Sequence, residues 1–126
     1  MSLTILAIDD SRTIREMLNA ALSAAGFSVH LAVDGEDGLD KLSQTAPDVV
    51  ITDINMPRLD GFGFIEGARA RDESRAVPIL VLTTESAADL KARARDAGAT
   101  GWIVKPFDEM RLISAIHRVA GMRAAG

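Results

Sequence analysis

Val49-Val50-Ile51-Thr52-Asp53 is an almost unbroken β-branched run that stops on a carboxylate. An apolar run of this length, without polar alternation, reads as a strand buried on both faces. That is the pattern of a parallel sheet covered by helices. Three other runs have the same form. Thr4–Ile8 closes on Asp9-Asp10, Ile79–Leu82 closes on Thr83, and Trp102–Val104 closes on Lys105, just before Pro106. Each polar residue falls at the carboxyl end of its run. In an open parallel α/β sheet those ends share one edge, where ligands bind. Three carboxylates, a hydroxyl and an ammonium on one edge suit a hard metal ion and a phosphoryl group.

Outward from these runs the chain alternates regularly. Thr4–Ile8, Ser28–Ala32, Val49–Asp53, Ile79–Thr83 and Gly101–Val104 read as strands, with Ser28–Ala32 the most polar because of His30. The segments between them read as helices. In Ser11–Ala25 the apolar residues Ile14, Met17, Leu18, Ala21, Leu22 and Ala25 form one amphipathic stripe. Ser11 is placed to cap that helix and Gly26 to end it. Asp108–Ala120 repeats the stripe with Leu112, Ile113, Ile116, Val119 and Ala120. Gly35–Thr45 and Phe62–Arg71 are helical but interrupted by Gly38, Gly63 and Gly67. Ser86–Ala97 is anchored mainly by alanines, Ala87, Ala94 and Ala97 with Leu90, so it buries little area and is the easiest helix to move. Five strands alternating with five helices imply parallel pairing through right-handed crossovers.

Composition sets the bounds. At 126 residues the chain has the size of one domain, spanning 1–126, with only Gly121–Gly126 trailing the last helix. It is 48% hydrophobic and 25% charged, as a globular chain should be. A net charge of −4 without a basic block argues against nucleic-acid binding. The absence of cysteine excludes disulfides and thiolate metal sites. With neither a signal peptide nor an apolar run of about 18 residues, no membrane contact is expected, and a cytoplasmic monomer is the default.

Four pieces, in order and at strand ends, carry a resemblance. They are Asp9-Asp10-Ser11-Arg12, Asp53-Ile54-Asn55-Met56-Pro57-Arg58-Leu59-Asp60-Gly61, Leu82-Thr83-Thr84-Glu85-Ser86, and Gly98–Phe107 with Lys105-Pro106. Together they make the chain resemble response-regulator receiver domains along nearly its whole length, most closely the stand-alone chemotaxis (CheY-like) type. The resemblance implies a flavodoxin-like, doubly wound five-stranded parallel sheet of order 2-1-3-4-5. It implies a two-component switch that catalyses its own phosphorylation and dephosphorylation but is not a turnover enzyme. The donor would be a histidine kinase of the CheA-like kind. The partner would be a flagellar motor switch protein or a phosphatase. A phosphorelay intermediate or phosphate sink is the alternative within the family.

Each site residue has a plain reading beside the chemical one. Asp53 could form an Asx-turn before Pro57, but a carboxylate can also be phosphorylated as a nucleophile. Asp9 and Asp10 could merely cap the first helix, yet adjacent carboxylates beside a third repel unless a cation intervenes. The resemblance implies Mg²⁺ on Asp9, Asp10, Asp53 and the Asn55 backbone carbonyl. Lys105 could be an ordinary solvated lysine; the resemblance aims it at the phosphoryl group and implies a cis peptide before Pro106. Thr83 could be a plain strand residue, or the hydroxyl that reports phosphorylation. Trp102, the one tryptophan, could be core, or the family's switch aromatic in bulkier form. Asn55, Thr84 and Glu85 occupy positions that tune hydrolysis in the family. The partner face would be Ala88, Lys91, Ala92, Arg95 and Trp102. His30 and His117 read as surface or boundary residues without a ligand role.

Two rivals lie outside this class. A flavodoxin-like electron carrier would need a Ser/Thr/Gly-rich phosphate cradle after the first strand, where Asp9-Asp10 would instead repel an FMN phosphate. A phosphatase of the haloacid dehalogenase type would need a second aspartate two residues after the nucleophile, where Asn55 stands.

Overall fold

The computed structural model describes residues 2–125, with side chains described through residue 121. Five strands form one sheet: β1 Thr4–Ile8, β2 Ser28–Ala32, β3 Val49–Thr52, β4 Ile79–Thr83 and β5 Gly101–Val104. All pairings are parallel and the order is β2-β1-β3-β4-β5. Five helices connect and cover them: α1 Arg12–Ala24, α2 Gly35–Thr45, α3 Gly61–Arg69, α4 Ala88–Ala97 and α5 Glu109–Ala125. This is the fold that the alternation and the resemblance implied.

Successive strand residues point to opposite faces, and the core divides accordingly. Leu6 and Ile8 of β1, Val50 of β3 and Ile79 and Val81 of β4 join Leu42, Phe64, Ile65 and Ala94 on the face covered by α2, α3 and α4. Ile5, Ala7, Val49, Ile51, Leu80 and Leu82 join Leu18, Leu22, Leu112 and Ile116 on the face covered by α1 and α5. Trp102 of β5 packs toward α4 and Ile103 toward α5.

Several details differ from the sequence reading. The helix expected over Ser86–Ala97 starts at Ala88, and Ala87, expected as an anchor, is its exposed N-cap. β5 has no fully buried residue, and Val104 is 40% exposed, because β5 is an edge strand with one neighbour. In α1, Met17 is 49% exposed and Ala25 is the exposed C-cap, so the buried stripe narrows to Leu18, Ala21 and Leu22. That helix lies over β1 and β2 at the margin of the sheet, which leaves one flank of the stripe without cover. The Phe62–Arg71 helix ends at Arg69 and is followed by a 3₁₀ turn over Asp72–Ser74. The last helix extends beyond Ala120 to Ala125; Gly126 lies outside the described residues.

Candidate functional site

The site is built at the carboxyl ends of β1, β3, β4 and β5. The register pairs Ile8 with Thr52, and the next residues of the two strands are Asp9 and Asp53. The Asp53 N–H donates to the Ile8 carbonyl at 3.0 Å, and the Asp9 N–H donates to the Ala32 carbonyl at 3.1 Å. Both carboxylates are therefore carried on the sheet itself. Asp9 is 2% exposed and Asp53 8%, whereas Asp10, on the turn into α1, is exposed. Carboxylate oxygens of Asp9, Asp10 and Asp53 lie within 4.8 Å of one another. An all-oxygen donor set at that spacing fits a divalent hard cation such as Mg²⁺.

Lys105 closes the cluster. Its Nζ donates to Asp9 Oδ2 at 2.8 Å and to Asp53 Oδ2 at 2.9 Å. Its backbone N–H donates to the Thr83 carbonyl at 2.8 Å, and its bond to Pro106 is cis. An ammonium shared between Asp9 and Asp53 thus offsets part of the mutual repulsion expected of the three aspartates. Burial still pushes the Asp9 carboxyl above its ordinary pKa and Asp53 repels it, outweighing the Lys105 and Ser11 hydrogen bonds that favour its charge. Burial also works against the Lys105 charge, but the bonds to Asp9 and Asp53 prevail and hold its pKa above the usual value.

The loop after Asp53 is pinned from both sides. Asp53 Oδ1 accepts from the Ile54 N–H at 2.6 Å, and the Gly61 N–H returns to the Ile54 carbonyl at 2.9 Å. A side chain at Gly61 would overlap the Asp53 carbonyl, so only glycine permits this approach. The Gly35 N–H donates to the Leu59 carbonyl, and Arg58 pairs with the buried Asp34 at 3.5 Å. These contacts tie the loop to the start of α2. Arg58 itself sits in the left-handed region with φ 66°.

Other expected residues are distributed around this centre. Thr83 is fully buried at the end of β4, and its Oγ1 accepts a long bond, 3.4 Å, from the Glu85 N–H. Thr84 is exposed. Asn55 Nδ2 donates to Glu85 Oε1 at 3.1 Å, so this polar pair links the loops after β3 and β4. Trp102 is half-buried, and its Nε1–H donates to the Glu85 carbonyl at 3.0 Å. On α4, Lys91 and Arg95 line a small groove with Trp102, while Ala88 is exposed in the first turn. Ala92 departs from that set: it lines the cleft toward α3 with Glu66 and Arg93, because helical rotation turns it away from Trp102. His30 and His117 are both exposed, and His117 rests against the Phe27 ring at 5.3 Å.

The sequence reading missed Arg15. Its guanidinium donates to the Asp9 carbonyl at 2.7 Å. A signal was present: Arg12 and Arg15 begin α1, whose first turn holds no acid, although the helix dipole favours anions there. The compensating acids lie just outside the helix, in the loop that Arg15 grips.

Comparisons with known proteins agree with this arrangement. A family described as the response regulator receiver domain matches residues 5–117. The response regulator MprA of Mycobacterium tuberculosis is 41% identical over 117 residues, which are 93% of this chain and 50% of that protein. The MprA of Mycobacterium bovis matches to the same extent, so this chain spans about half the length of these relatives. The chemotaxis protein CheY4 of Vibrio cholerae superposes with a TM-score of 0.91 at 40% identity, covering 94% of this chain and 99% of that one. The receiver domain of the sensor histidine kinase PA1611 of Pseudomonas aeruginosa, with a magnesium ion coordinated in its active-site cleft, superposes with a TM-score of 0.89 at 26% identity. It is covered over 99% of its length by 96% of this chain. The sheet order, the acidic edge and these likenesses converge: the chain belongs to the response regulator receiver domain family.

Proposed function

We propose that this receiver is a phospho-acceptor switch that takes a phosphoryl group from the phosphohistidine of a histidine kinase onto Asp53. A carboxylate oxygen of Asp53 forms the new O–P bond, the P–N bond to the donor imidazole breaks, and the imidazole leaves with the bonding pair. The observation that carries this reading is the buried Asp9–Asp53 pair bridged by one ammonium beside a third, exposed carboxylate. Asp9, Asp10, Asp53 and the Asn55 backbone carbonyl would hold Mg²⁺, which supplies charge stabilisation to the phosphoryl oxygens when bound. Lys105 then exchanges its Asp53 contact for the incoming phosphoryl group, and the Thr83 hydroxyl takes one of its oxygens. Asn55, Thr84 and Glu85 border the route of the hydrolytic water and set the lifetime of the phosphoryl group.

Labelling tests this directly. Asp53→Asn keeps the shape of the side chain but lacks the nucleophile, so label from phosphorylated kinase or acetyl phosphate should disappear. Lys105→Ala should still bind metal but respond poorly to phosphorylation. Acid-stable label, or label retained by Asp53→Asn, would identify another acceptor.

A chemotaxis role is the finer reading. It is supported by the 40% identity to CheY4 along nearly the full length of that protein. The face of Ala88, Lys91, Arg95 and Trp102 would meet a flagellar motor switch protein. Binding of such a segment strengthened by a beryllium fluoride mimic of the phosphoryl group would support it. No change on adding the mimic would favour a phosphate sink.

A further inference from the structure

Asp9 is anchored at every polar atom. Its N–H is held by β2, its Oδ1 accepts from the Ser11 N–H at 2.9 Å, and its Oδ2 accepts from Lys105. Its carbonyl is taken by Arg15 Nη1 at 2.7 Å. That carbonyl belongs to the peptide joining Asp9 to Asp10, so Arg15 fixes the plane from which Asp10 departs. Asp10 has no other restraint of this kind: its carboxylate is exposed and receives no hydrogen bond among the described residues. Its oxygen nevertheless lies within 4.8 Å of those of Asp9 and Asp53. The backbone must therefore supply the direction.

We propose that Arg15 is the positioning residue of the acidic loop: by gripping the Asp9 carbonyl it presents Asp10 together with Asp9 and Asp53 to one divalent cation. The inference rests on the metal reading of the site. Arg15 donates to the Asp9 main-chain carbonyl and to none of the three carboxylates. It acts through the peptide, as the outer partners of metal ligands do. It also lies in the field of Asp37 on α2, whose carboxyl stays below its ordinary pKa. Burial opposes that shift, but the Val33 N–H, Lys41 and Arg15 together outweigh it.

Two roles for this arginine predict opposite signs. If only its charge mattered, removing a cation beside the site would strengthen Mg²⁺ binding. If it positions the loop, removing it weakens binding despite the lost repulsion. The experiment is calorimetric titration of the full chain with Mg²⁺, paired with thermal melts with and without the ion. Arg15→Met is expected to lower affinity by about tenfold or more, the range seen for such outer partners. Arg15→Lys keeps a donor of similar reach and is expected to fall between the two. A Met variant that binds Mg²⁺ as tightly as wild type, or more tightly, overturns the proposal. If Arg15→Met does not fold in metal-free buffer, Arg15→Lys carries the test: a loss of about threefold or more upholds it, and unchanged affinity overturns it. Absence of a saturable Mg²⁺ response in wild type would overturn the metal reading and this inference together. Normal wild-type binding with an unaffected variant would overturn this inference alone.

Discussion

The interior strands and the flank formed by α4 and β5 are built to different degrees of burial, yet they supply the same site. Every residue of β3 and β4 is buried. No residue of β5 is, and α4 buries only Ala94. Asp53 and Thr83 come from the first region, while Lys105 and Trp102 come from the second. Asp53 and Thr83 are thus fixed in a packed frame, and the cation and the indole ride on elements with few apolar anchors. Local opening costs least where buried contacts are fewest. In the proposed switch this asymmetry would place the charge change at a fixed point and its report on elements that can move.

The largest effects should expose that contrast in packing. Ile51→Ala removes a fully packed side chain of β3, and truncations of this kind cost about 2–5 kcal/mol. Leu90→Ala on α4 removes a side chain that is only half-buried, and should cost no more than about 1.5 kcal/mol. Urea unfolding of the two variants measures both. Equal losses would mean that α4 is anchored as firmly as the interior.

Two glycines sharpen the contrast. A Cβ at Gly61 would overlap the backbone of Asp53 and Ile54, which cannot yield without disturbing the site. Gly61→Ala should cost about 1–3 kcal/mol and weaken phosphorylation as well. At Gly101 a Cβ would meet only the tip of Leu80, Cδ2 at 2.8 Å, which can turn aside. Gly101→Ala should change stability by less than about 1 kcal/mol, since alanine also restricts the unfolded chain. A Gly101→Ala variant as damaged as Gly61→Ala would show that β5 is held as rigidly as β3.

The same division explains what the sequence disclosed. The runs at Val49–Thr52 and Ile79–Thr83 are apolar because both faces are covered, so burial wrote itself into the pattern. The polar residues that close the runs stood out for the same reason. The run at Trp102–Val104 looks alike, but its burial depends on having a neighbour on each side, and strand order is not a local property. Lys105 could be read as a site residue, whereas its sharing between Asp9 and Asp53 joins positions 96 and 52 residues away. The indole bond to the Glu85 carbonyl and the Arg15 grip on Asp9 involve main-chain acceptors. Every residue type carries those, so no motif marks the acceptors, and the acid-free first turn of α1 is the one hint of Arg15.

Asp9 offers a pH test of the fixed region. Its pKa is raised in the folded state, so folding favours its protonated form. The sign follows: stability falls as pH rises from the unfolded carboxyl range through the raised value, and the cost persists above it. Asp9→Asn removes that charge. In metal-free buffer the variant should melt higher than wild type at neutral pH. The gap should close as pH falls below about 4, where the carboxyl is protonated in both states. A gap that stays constant down to pH 3 would assign the effect to packing rather than charge.

The smallest expected effect concerns the flank. Trp102→Phe keeps an aromatic body against the α4 side of the core but deletes the N–H that holds the Glu85 carbonyl. That carbonyl belongs to a half-exposed residue, so water can replace the lost donor. The net loss should then be about 0.5–1 kcal/mol, barely visible in global unfolding. It should be visible locally, because the bond joins β5 to the segment that leads into α4, whose N-cap residue, Ala87, offers no side-chain hydrogen bond. Amides of residues 86–90 should exchange with solvent about 2–5 times faster in the variant, the factor that such a loss implies for local opening, while those of β3 and β4 keep their wild-type rates. Faster exchange throughout would mean that Trp102 supports the whole domain as a core residue. No change anywhere would mean that the start of α4 is already open, and that the indole bond restrains nothing.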